Sequence, residues 1–417
     1  MKVLWITNTL FPDLCAELKI EVPVIGGWMF SSAKGLLEIN TDIQLAVVTT
    51  YNGDKFKEFF INGITYFLLP ISGSKKKYNP YFETCMKNIH KKFSPEIIHI
   101  HGTEYPVGLA YIRACGKNGV VISIQGLVSV YERYYFGGIE EKDLKKNTTL
   151  RDYIRNDSFY TQRYDMQNRG TLEREYINGV DHVIGRTCWD KSHVWAINSA
   201  VQYHFCNETL RNGFYQNQWK FDNCEKHSIF LSQAHYPIKG LHQMIKALPL
   251  ILKHFPNTMV YVAGTDFLTN KGWRINGYGK YISSLIKGNG VDGKIIFTGI
   301  LNEDKMIKQY LQSHVFVCPS SIENSPNSIG EAQLLGVPCI SSIVGGVTSM
   351  INDGFSGLLY RFEEVEMLAM KICQLFSDTD LANTLSINAR EIAINRHDKL
   401  KNASTLNNIY NMICNNI

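Results

Sequence analysis

Short apolar segments alternate along this chain with longer amphipathic segments, and this rhythm constrains the fold more than any other feature. Strand candidates lie at 2–7, 43–49, 64–69, 97–101, 120–124, 182–187, 228–233, 258–264, 294–299 and 314–318. Several are continuous runs of Val, Ile, Leu and Phe, which is typical of parallel strands covered on both faces. The sequence therefore predicts an α/β fold built from βα units.

Length and composition set limits on the class of protein. The 417 residues are enough for two domains, and 45% hydrophobic with 19% charged residues is typical of a globular protein. A net charge of +5 gives no reason to expect a nucleic-acid partner. The ten cysteines are scattered, without a C-x-x-C pair, which indicates reduced thiols and neither a disulfide framework nor a zinc site.

The N-terminus and the hydropathy of the chain bear on its location. The run 1–7 meets Asn8 and Pro12 too soon for a secretory signal, and no apolar run approaches the ~18 residues that span a bilayer. We expect a cytoplasmic protein. If its acceptor is linked to a lipid, the protein must work as a peripheral protein at the inner face of the cell membrane.

Two interruptions of the rhythm suggest the domain plan. Residues 128–180 are rich in Tyr, Lys and Arg and read as a helical insertion. This insertion is either a solvated hairpin or a surface that faces an acceptor or a membrane. The turn-rich segment 212–227 reads as a linker. We predict an N-terminal domain at 1–215 that binds the acceptor, and a C-terminal domain at 226–395 that binds a nucleotide sugar.

The stretch 315–332 predicts the most specific site. A buried strand leads into a polar loop and then into a helix, with Glu323 on the loop and Glu331 just inside the helix. Free N–H groups at a helix start suit phosphate, and two carboxylates can accept hydrogen bonds from hydroxyls. Such a combination fits a sugar nucleotide. A structural alternative is that Ser328 and Glu331 form a capping box, and that Glu323 is an ordinary loop glutamate.

The pattern Pro-Ser-x-x-Glu-x7-Glu-Ala, followed by Gly-Val-Pro, Gly345-Gly346 and Asp353-Gly354, resembles the family 4 glycosyltransferases. The resemblance is most specific over 228–360. It implies the GT-B fold, in which two Rossmann-like domains face each other across a cleft, and sugar transfer with retention at the anomeric carbon. The segment 323–331 resembles a branch found in bacterial capsule and exopolysaccharide synthesis. The final helix, from about 396, would cross back to the first domain.

The same resemblance assigns roles in the C-terminal domain. Glu331 would hold the ribose hydroxyls, Glu323 the hydroxyls of the donor sugar, and Lys239 the diphosphate, whose developing negative charge it would stabilise. The donor set would also include Pro326, Asn327 and Ser328 at the helix start, Gly264 near the nucleotide base, and Gly26 and Gly27 near the diphosphate. For the Gly-Gly pair, a simple turn is the alternative.

Candidates in the N-terminal domain are His101, Gln125 and Arg186. His101 ends a strand at the edge where doubly wound sheets bind ligands, although a buried core histidine is the alternative. Gln125 stands where many relatives have histidine, so no general base is assigned there. Relatives often carry an arginine where this chain has Ala234, and Arg186 or Arg211 could replace it.

We expect no metal and no cofactor, because a lysine with a helix start can supply the positive charge that a metal ion would otherwise bring. The substrates would be a nucleotide sugar, most simply a UDP-sugar, and a saccharide or lipid-linked acceptor. Two alternatives remain open at this point. One is a nucleotide-sugar epimerase of the same fold, and the other is a non-catalytic partner in an assembly complex.

Overall fold

The computed structural model describes residues 1–23, 26–71, 73–269 and 272–415. The chain divides into two compact units. The first comprises Met1–Val130, Met166–Arg211 and His397–Ile417, and the second comprises Tyr131–Asp165 and Asn212–Arg396. The sequence also predicts a long loop at 8–25, ahead of Gly26 and Gly27. Residues 24 and 25 of this loop lie outside the described residues, as do 416 and 417 of the predicted final helix.

The strands of the first unit form one eight-stranded sheet, and those of the second form a six-stranded sheet. The first set is β1 (Lys2–Ile6), β2 (Gln44–Asn52), β3 (Lys57–Ile61), β4 (Ile64–Ile71), β5 (Ile97–His101), β6 (Val120–Ser123), β7 (His182–Gly185) and β8 (Gln202–Phe205). The second set is β9 (Glu225–Leu231), β10 (Met259–Ala263), β11 (Ile295–Gly299), β12 (Ser313–Cys318), β13 (Cys339–Ser342) and β14 (Leu358–Tyr360).

The described helices follow the strands in a βα rhythm. In chain order they are α1 (Pro12–Leu18), α2 (Gly27–Ile39), α3 (Tyr81–Phe93), α4 (Val107–Cys115), α5 (Val128–Tyr131), α6 (Glu141–Asn147), α7 (Leu150–Arg155), α8 (Phe159–Asn178), α9 (Cys188–Ile197), α10 (Gly213–Gln216), α11 (Leu241–Leu252), α12 (Gly277–Gly288), α13 (Glu303–Gln312), α14 (Asn327–Leu335), α15 (Val365–Ser377), α16 (Thr379–Arg396) and α17 (Lys399–Cys414).

The first sheet has the order β3-β4-β2-β1-β5-β6-β7-β8 and is parallel except for the antiparallel pair of β3 and β4. Alternate residues of β1 enter two separate cores, with Leu4 and Ile6 in one and Val3 and Trp5 in the other. Both faces of the sheet are therefore covered, as the continuous apolar runs predicted. Helix α17 lies on the face of Trp5, whose Nε1 donates to Tyr410 Oη at 2.9 Å.

The second sheet has the order β11-β10-β9-β12-β13-β14, with parallel neighbours throughout its described pairs. Strands β9 and β12 lie side by side at its centre. Because both run in the same direction, the loops that follow them leave from the same edge. This carboxyl edge carries the strongest sequence motif of the chain, and it is where open parallel sheets bind ligands.

The structure contains more regular elements than we predicted. The sequence does not predict strands β3, β8, β13 and β14. Strands β3 and β8 are largely exposed and lack a continuous apolar run, β13 (Cys-Ile-Ser-Ser) is half polar, and β14 has three residues. The predicted loop at 8–25 contains α1. The predicted linker at 212–227 is wrong, since this segment is packed into the second unit. Trp219 is buried there, and its Nε1 donates to the carbonyl oxygen of Ser313 at 2.9 Å.

The segment predicted as an insertion in the N-terminal domain is helical, but it is not confined to the first unit. Tyr131–Asp165 pack with the second unit, whereas α8 continues into residues of the first. Specific hydrogen bonds hold this part in the second unit. The Nε2 atom of His242 lies 2.7 Å from the carbonyl oxygen of Gly137, and Thr149 Oγ1 donates to the carbonyl oxygen of Ile275 at 3.3 Å.

Candidate functional site

Two loops at the carboxyl edge of the second sheet are joined through their backbones. One follows β9 and ends at Gly240, and the other follows β12 through Pro319 and Ser321. The N–H of Ser321 donates to the carbonyl oxygen of Ile238 at 2.7 Å. Gly240 has a φ of +70°, and a Cβ atom there would lie 1.7 Å from the carbonyl oxygen of Pro319. Only glycine allows the two loops to approach this closely.

Lys239 and Glu323 meet across these joined loops. Lys239 Nζ lies 2.6 Å from Glu323 Oε1, which also accepts a hydrogen bond from Ser320 Oγ at 2.8 Å. Burial is the largest influence on the Lys239 pKa and lowers it, but the charges of Glu323 and Tyr236 more than offset it. The net pKa is raised above its ordinary value, so the ammonium group is positively charged at neutral pH. The structure thus joins two site residues that are 84 positions apart in sequence.

Two glycines hold the backbone at Glu323. The N–H of Gly346 donates to the carbonyl oxygen of Glu323 at 3.0 Å, and Gly345, with a φ of +51°, leaves room for that oxygen. Tyr131 lies near the ion pair and is partly buried. Burial first, and then the negative charge of Glu323, raise the Tyr131 pKa well above its ordinary value, so its hydroxyl stays neutral. In the sequence, Tyr131 is one of several tyrosines of the segment 128–180, and no local pattern links it to Glu323.

The capping-box interpretation of Glu331 is wrong. Helix α14 begins at Asn327, with Pro326 as its N-cap, so Ser328 lies inside the helix. Ile329 and Gly330 donate the first bonds of this helix, both to the carbonyl oxygen of Pro326. Asn327 and Ser328 therefore lie ahead of the first intrahelical donors, and both are partly exposed. Glu331 is buried at 8% exposure in the second turn, and Gly336 ends the helix with a φ of +77°.

Two other residues belong to this edge. Gly264 follows β10 with a φ of +111°, and its N–H donates to the carbonyl oxygen of Gly299 at 2.9 Å. Arg396, which we did not predict, donates to Ser325 Oγ at 3.2 Å and to the carbonyl oxygen of Ser349 at 3.0 Å. It braces the loop ahead of α14 from a distant helix, and only the tertiary structure reveals this contact.

The first unit brings its own predicted residues together. His101, Gln125 and Arg186 line one pocket with Trp28 and Glu208, beyond the carboxyl ends of β5, β6 and β7. Arg186 forms a buried ion pair with Glu208, and its Nη2 donates to the carbonyl oxygens of Ile124 at 2.7 Å and Gln125 at 3.2 Å. The guanidinium group is therefore held within its own unit.

His101 is a buried residue at the wall of this pocket. Its ring centroid lies 3.8 Å from that of His99 and 4.3 Å from that of Trp5. Burial lowers the His101 pKa to about 3, so the imidazole is neutral at physiological pH. A neutral ring offers one donor and one acceptor. The roles predicted for His101, Gln125 and Arg186 in the reaction stay predictions.

Gly26 and Gly27 open helix α2 in the first unit. Gly26 is its N-cap with a φ of +88°, and a Cβ atom there would lie 2.6 Å from Thr9 Cγ2. A Cβ atom on Gly27 would lie 3.0 Å from the Cδ atom of Arg211. The pair is therefore a helix start packed against its neighbours, and its contact with the diphosphate stays a prediction.

Two searches of the described residues bear on metal and membrane binding. Within them, no cluster of three or more His, Cys, Asp or Glu residues is arranged to hold a metal ion. Among the same residues, every helix is too short or too polar to cross a bilayer.

Comparison with known protein sequences gives matches to part of the chain. The family described as glycosyl transferases group 1 matches residues 214–392. An uncharacterized glycosyltransferase of Methanocaldococcus jannaschii is 26% identical over 186 residues, which cover 45% of this chain and 45% of that protein. The chain thus spans about half the length of the curated relatives it matches.

Solved structures match over the whole chain. Sucrose-phosphate synthase from Thermosynechococcus elongatus has a TM-score of 0.73 at 16% identity and covers 99% of both chains. HepE from Anabaena, in complex with UDP and glucose, has a TM-score of 0.66 at 16% identity and covers 99% of this chain and 100% of its own. The chain therefore has the GT-B fold, and its residues 214–392 match the family described as glycosyl transferases group 1.

Proposed function

We propose that this protein transfers a sugar from a nucleotide-diphospho-sugar to a saccharide or lipid-linked acceptor, in the synthesis of a cell-surface polysaccharide. The observation that carries the proposal is the partly buried ion pair at the carboxyl edge of the second sheet, between Lys239 after β9 and Glu323 on the loop that leads into α14. A cation, a carboxylate and a helix start offer complementary groups to a diphosphate and to sugar hydroxyls.

The donor would bind to the second unit through these groups. Lys239 would exchange part of its contact with Glu323 for the diphosphate, and the N–H groups of Asn327 and Ser328 would face the same charge. Glu323 would then accept hydrogen bonds from the sugar, and Glu331 from the ribose. HepE binds UDP and glucose with the same fold, which supports UDP as the nucleotide.

The reaction breaks the bond between the anomeric carbon and the diphosphate oxygen. The acceptor hydroxyl forms the new bond on the same face, and its proton passes to the departing diphosphate, so the configuration is retained. Lys239 stabilises the charge that develops on the leaving group in a partly buried environment, where its charge acts most strongly. This chain supplies that cation itself, which is the reason to propose turnover without a metal ion.

Helix α7 supports contact with a lipid-linked acceptor at a membrane surface. Leu150, Tyr153 and Ile154 are 75%, 71% and 75% exposed, and their spacing places them on one face of the helix. A capping box of Thr149 and Asp152 fixes the helix, and Arg155 is exposed beside the apolar side chains. Tyr and Leu next to a basic residue suit the interface of a bilayer, so we propose peripheral binding at the inner face of the cell membrane.

The test is a thermal-shift screen against UDP, GDP, ADP and their sugars, with and without magnesium. A ligand that binds only the native state raises the melting temperature. We expect a shift with UDP that does not need magnesium. The shift should be lost in Glu331→Ala, with about a 10- to 100-fold weaker Kd, because one hydrogen bond to a charged group is removed. Glu391→Ala, an exposed glutamate of α16, is the matched control.

Three results would count against the proposal. A shift that persists in Glu331→Ala would remove this residue from the donor site. Dependence on magnesium would contradict the charge assignment for Lys239. Incubation with the preferred UDP-sugar that yields only another free UDP-sugar, with no acceptor consumed, would identify an epimerase.

A further inference from the structure

The pocket of the first unit concentrates buried polar atoms that lack hydrogen bonds. Among the described residues, no hydrogen-bond partner exists for the Nδ1 and Nε2 atoms of His101, the Oδ1 atom of Asn207 or the Oε2 atom of Glu208. His101 is 4% exposed and Glu208 is 6% exposed, and all three residues line the same pocket. Buried polar groups are normally paired, so a cluster of unpaired ones at one pocket indicates a ligand that completes them.

The neighbouring histidine shows that the local packing does not force such unpaired atoms. His99 lies two residues earlier on β5, and its ring centroid lies 3.8 Å from that of His101. Its Nδ1 atom lies 2.5 Å from Tyr410 Oη and its Nε2 atom lies 2.6 Å from Ser123 Oγ. Both histidines line the pocket, and the fold pairs both nitrogens of His99 but neither nitrogen of His101.

The charges at the pocket exclude an anionic ligand. The only full positive charge among the residues described at its wall is that of Arg186, and the carboxylate of Glu208 neutralises it. The Nη2 atom of Arg186 also donates hydrogen bonds to two backbone carbonyl oxygens. The buried imidazole of His101 is uncharged at neutral pH. A phosphate group would meet Glu208 with no uncompensated cation to offset the repulsion.

The unpaired atoms instead require a ligand that donates hydrogen bonds. Glu208 Oε2 and Asn207 Oδ1 can only accept them, whereas neutral His101 accepts one and donates one. Hydroxyl groups meet both demands. The pocket opens to solvent, and its cavity volume is only about 30 Å³, so it can admit the hydroxyl groups at one edge of a ring while the rest of the ring stays at the mouth. Trp28 lies on its wall, with its ring centroid 5.8 Å from that of His101, and offers an apolar face for the C–H groups of a sugar ring.

We infer that this pocket binds the hydroxyl-bearing edge of an uncharged sugar ring through His101, Asn207 and Glu208, and that it excludes phosphorylated groups. The inference deepens the proposed function and rests on it, since it assigns a neutral saccharide to the reaction. Two sources supply the same chemistry. The sugar is either the terminal residue of the acceptor or the sugar of the donor.

The experiment measures binding of small probes to the full-length protein by saturation-transfer NMR. The probes are the methyl α-glycosides of glucose, galactose, mannose and N-acetylglucosamine, together with glucose 6-phosphate and inorganic phosphate. The test variant is His101→Phe, which keeps the ring and removes both unpaired nitrogens. The matched control is His204→Phe, another buried histidine of the first unit that is outside the pocket. Because His101→Phe removes no existing hydrogen bond, we expect its melting temperature to be at least that of the wild type.

We expect at least one methyl glycoside to bind, with at least 10-fold weaker binding in His101→Phe and unchanged binding in His204→Phe. Neither phosphate probe should displace it at equal concentration. Absence of binding by all four glycosides, equal binding in His101→Phe, or displacement by phosphate would overturn the inference. In particular, binding that is lost equally in both variants would point to general loss of structure.

Adding UDP and UDP-glucose separates the two sources. A glycoside that still binds with both present marks an acceptor pocket, and one displaced by UDP-glucose but not by UDP marks the donor sugar. The same titration reports UDP binding itself. Glycoside binding without UDP binding would leave the pocket in place and contradict the proposed function, so the two failures are distinguishable.

Discussion

Each unit of this protein has a cation–carboxylate pair at the carboxyl edge of its sheet, buried in the first unit and partly buried in the second, but the two pairs are held differently. In the first unit, Arg186 binds Glu208 and two backbone carbonyl oxygens at once. In the second, Lys239 binds Glu323 by a single ammonium contact, and Ser320 supplies a second hydrogen bond to the carboxylate. A planar guanidinium with several partners is fixed, whereas an ammonium on a flexible stem can change partners. We therefore expect the Arg186–Glu208 pair to stabilise the fold and the Lys239–Glu323 pair to take part in the reaction.

We expect the largest effect when the Arg186–Glu208 pair is broken, and we expect it in the stability of the fold. Arg186→Met leaves Glu208 as a buried charge without its partner, which we expect to lower the free energy of unfolding by about 3–5 kcal/mol. Urea denaturation measures this loss. Arg113→Met is the matched control, since Arg113 also pairs with a glutamate, Glu175, but at a site where both side chains are about a third or more exposed. An exposed pair contributes only ~0–1 kcal/mol.

One result for Arg186→Met would contradict the structural role that we assign to the Arg186–Glu208 pair. If the variant keeps its stability but binds the donor more weakly, Arg186 contacts substrate as we predicted from sequence. Its pairing with Glu208 would then be a resting arrangement that the donor replaces.

The next largest effect should come from the exchangeable pair, and it should appear in catalysis. Lys239→Ala removes the charge that stabilises the leaving group, so we expect kcat to fall about 10²- to 10³-fold. Steady-state kinetics on the folded variant measure this fall. Lys117→Ala, which removes one half of an exposed ion pair with Asp181, should behave as wild type. If Lys239→Ala keeps the wild-type kcat and only loses stability, then the Lys239–Glu323 pair has a structural role like that of the Arg186–Glu208 pair.

The smallest effect concerns a carboxyl group of the first unit that has no such ion pair. Glu104 accepts a hydrogen bond from the N–H of Gly126, but burial is the dominant influence and raises its pKa from 4.5 to about 7. The folded state therefore keeps a proton that the unfolded state loses above pH 4.5. Stability falls as pH rises from about 4.5 to about 7, and the loss is complete above pH 7, up to about 3 kcal/mol.

Glu104→Gln should remove this dependence. The variant should be more stable than wild type at pH 8, and the two should converge near pH 4.5. Urea denaturation at several pH values measures the difference. A wild-type stability that rises between pH 5 and 7, once other groups are accounted for by the variant, would show that Glu104 is charged and stabilised in the folded protein.

The sequence predicted the parallel α/β architecture because buried parallel strands are continuous apolar runs. It failed where this signal is weak, as in the three-residue β14 and the half-polar β13. Lys239 and Glu323 were both predicted, but their contact was not, because it depends on β9 and β12 being neighbours in the sheet. Glu208 was not predicted at all. Nothing around it in the sequence distinguishes it from a surface glutamate, and only the fold places Arg186 beside it.

Gly240 and Gly345, which lie beside the Lys239–Glu323 pair, bear on whether a variant without the lysine side chain can be rescued by an added amine. Gly240 fits against the carbonyl oxygen of Pro319 and Gly345 against that of Glu323, so close backbone packing holds these loops independently of the Lys239 side chain. Loss of the Lys239 side chain should therefore leave an ammonium-sized vacancy whose walls keep their shape. A small primary amine from solution, such as methylammonium, should enter that vacancy and restore part of the lost turnover. Chemical rescue of this kind is expected only where the scaffold, and not the missing side chain, holds the reacting groups in register.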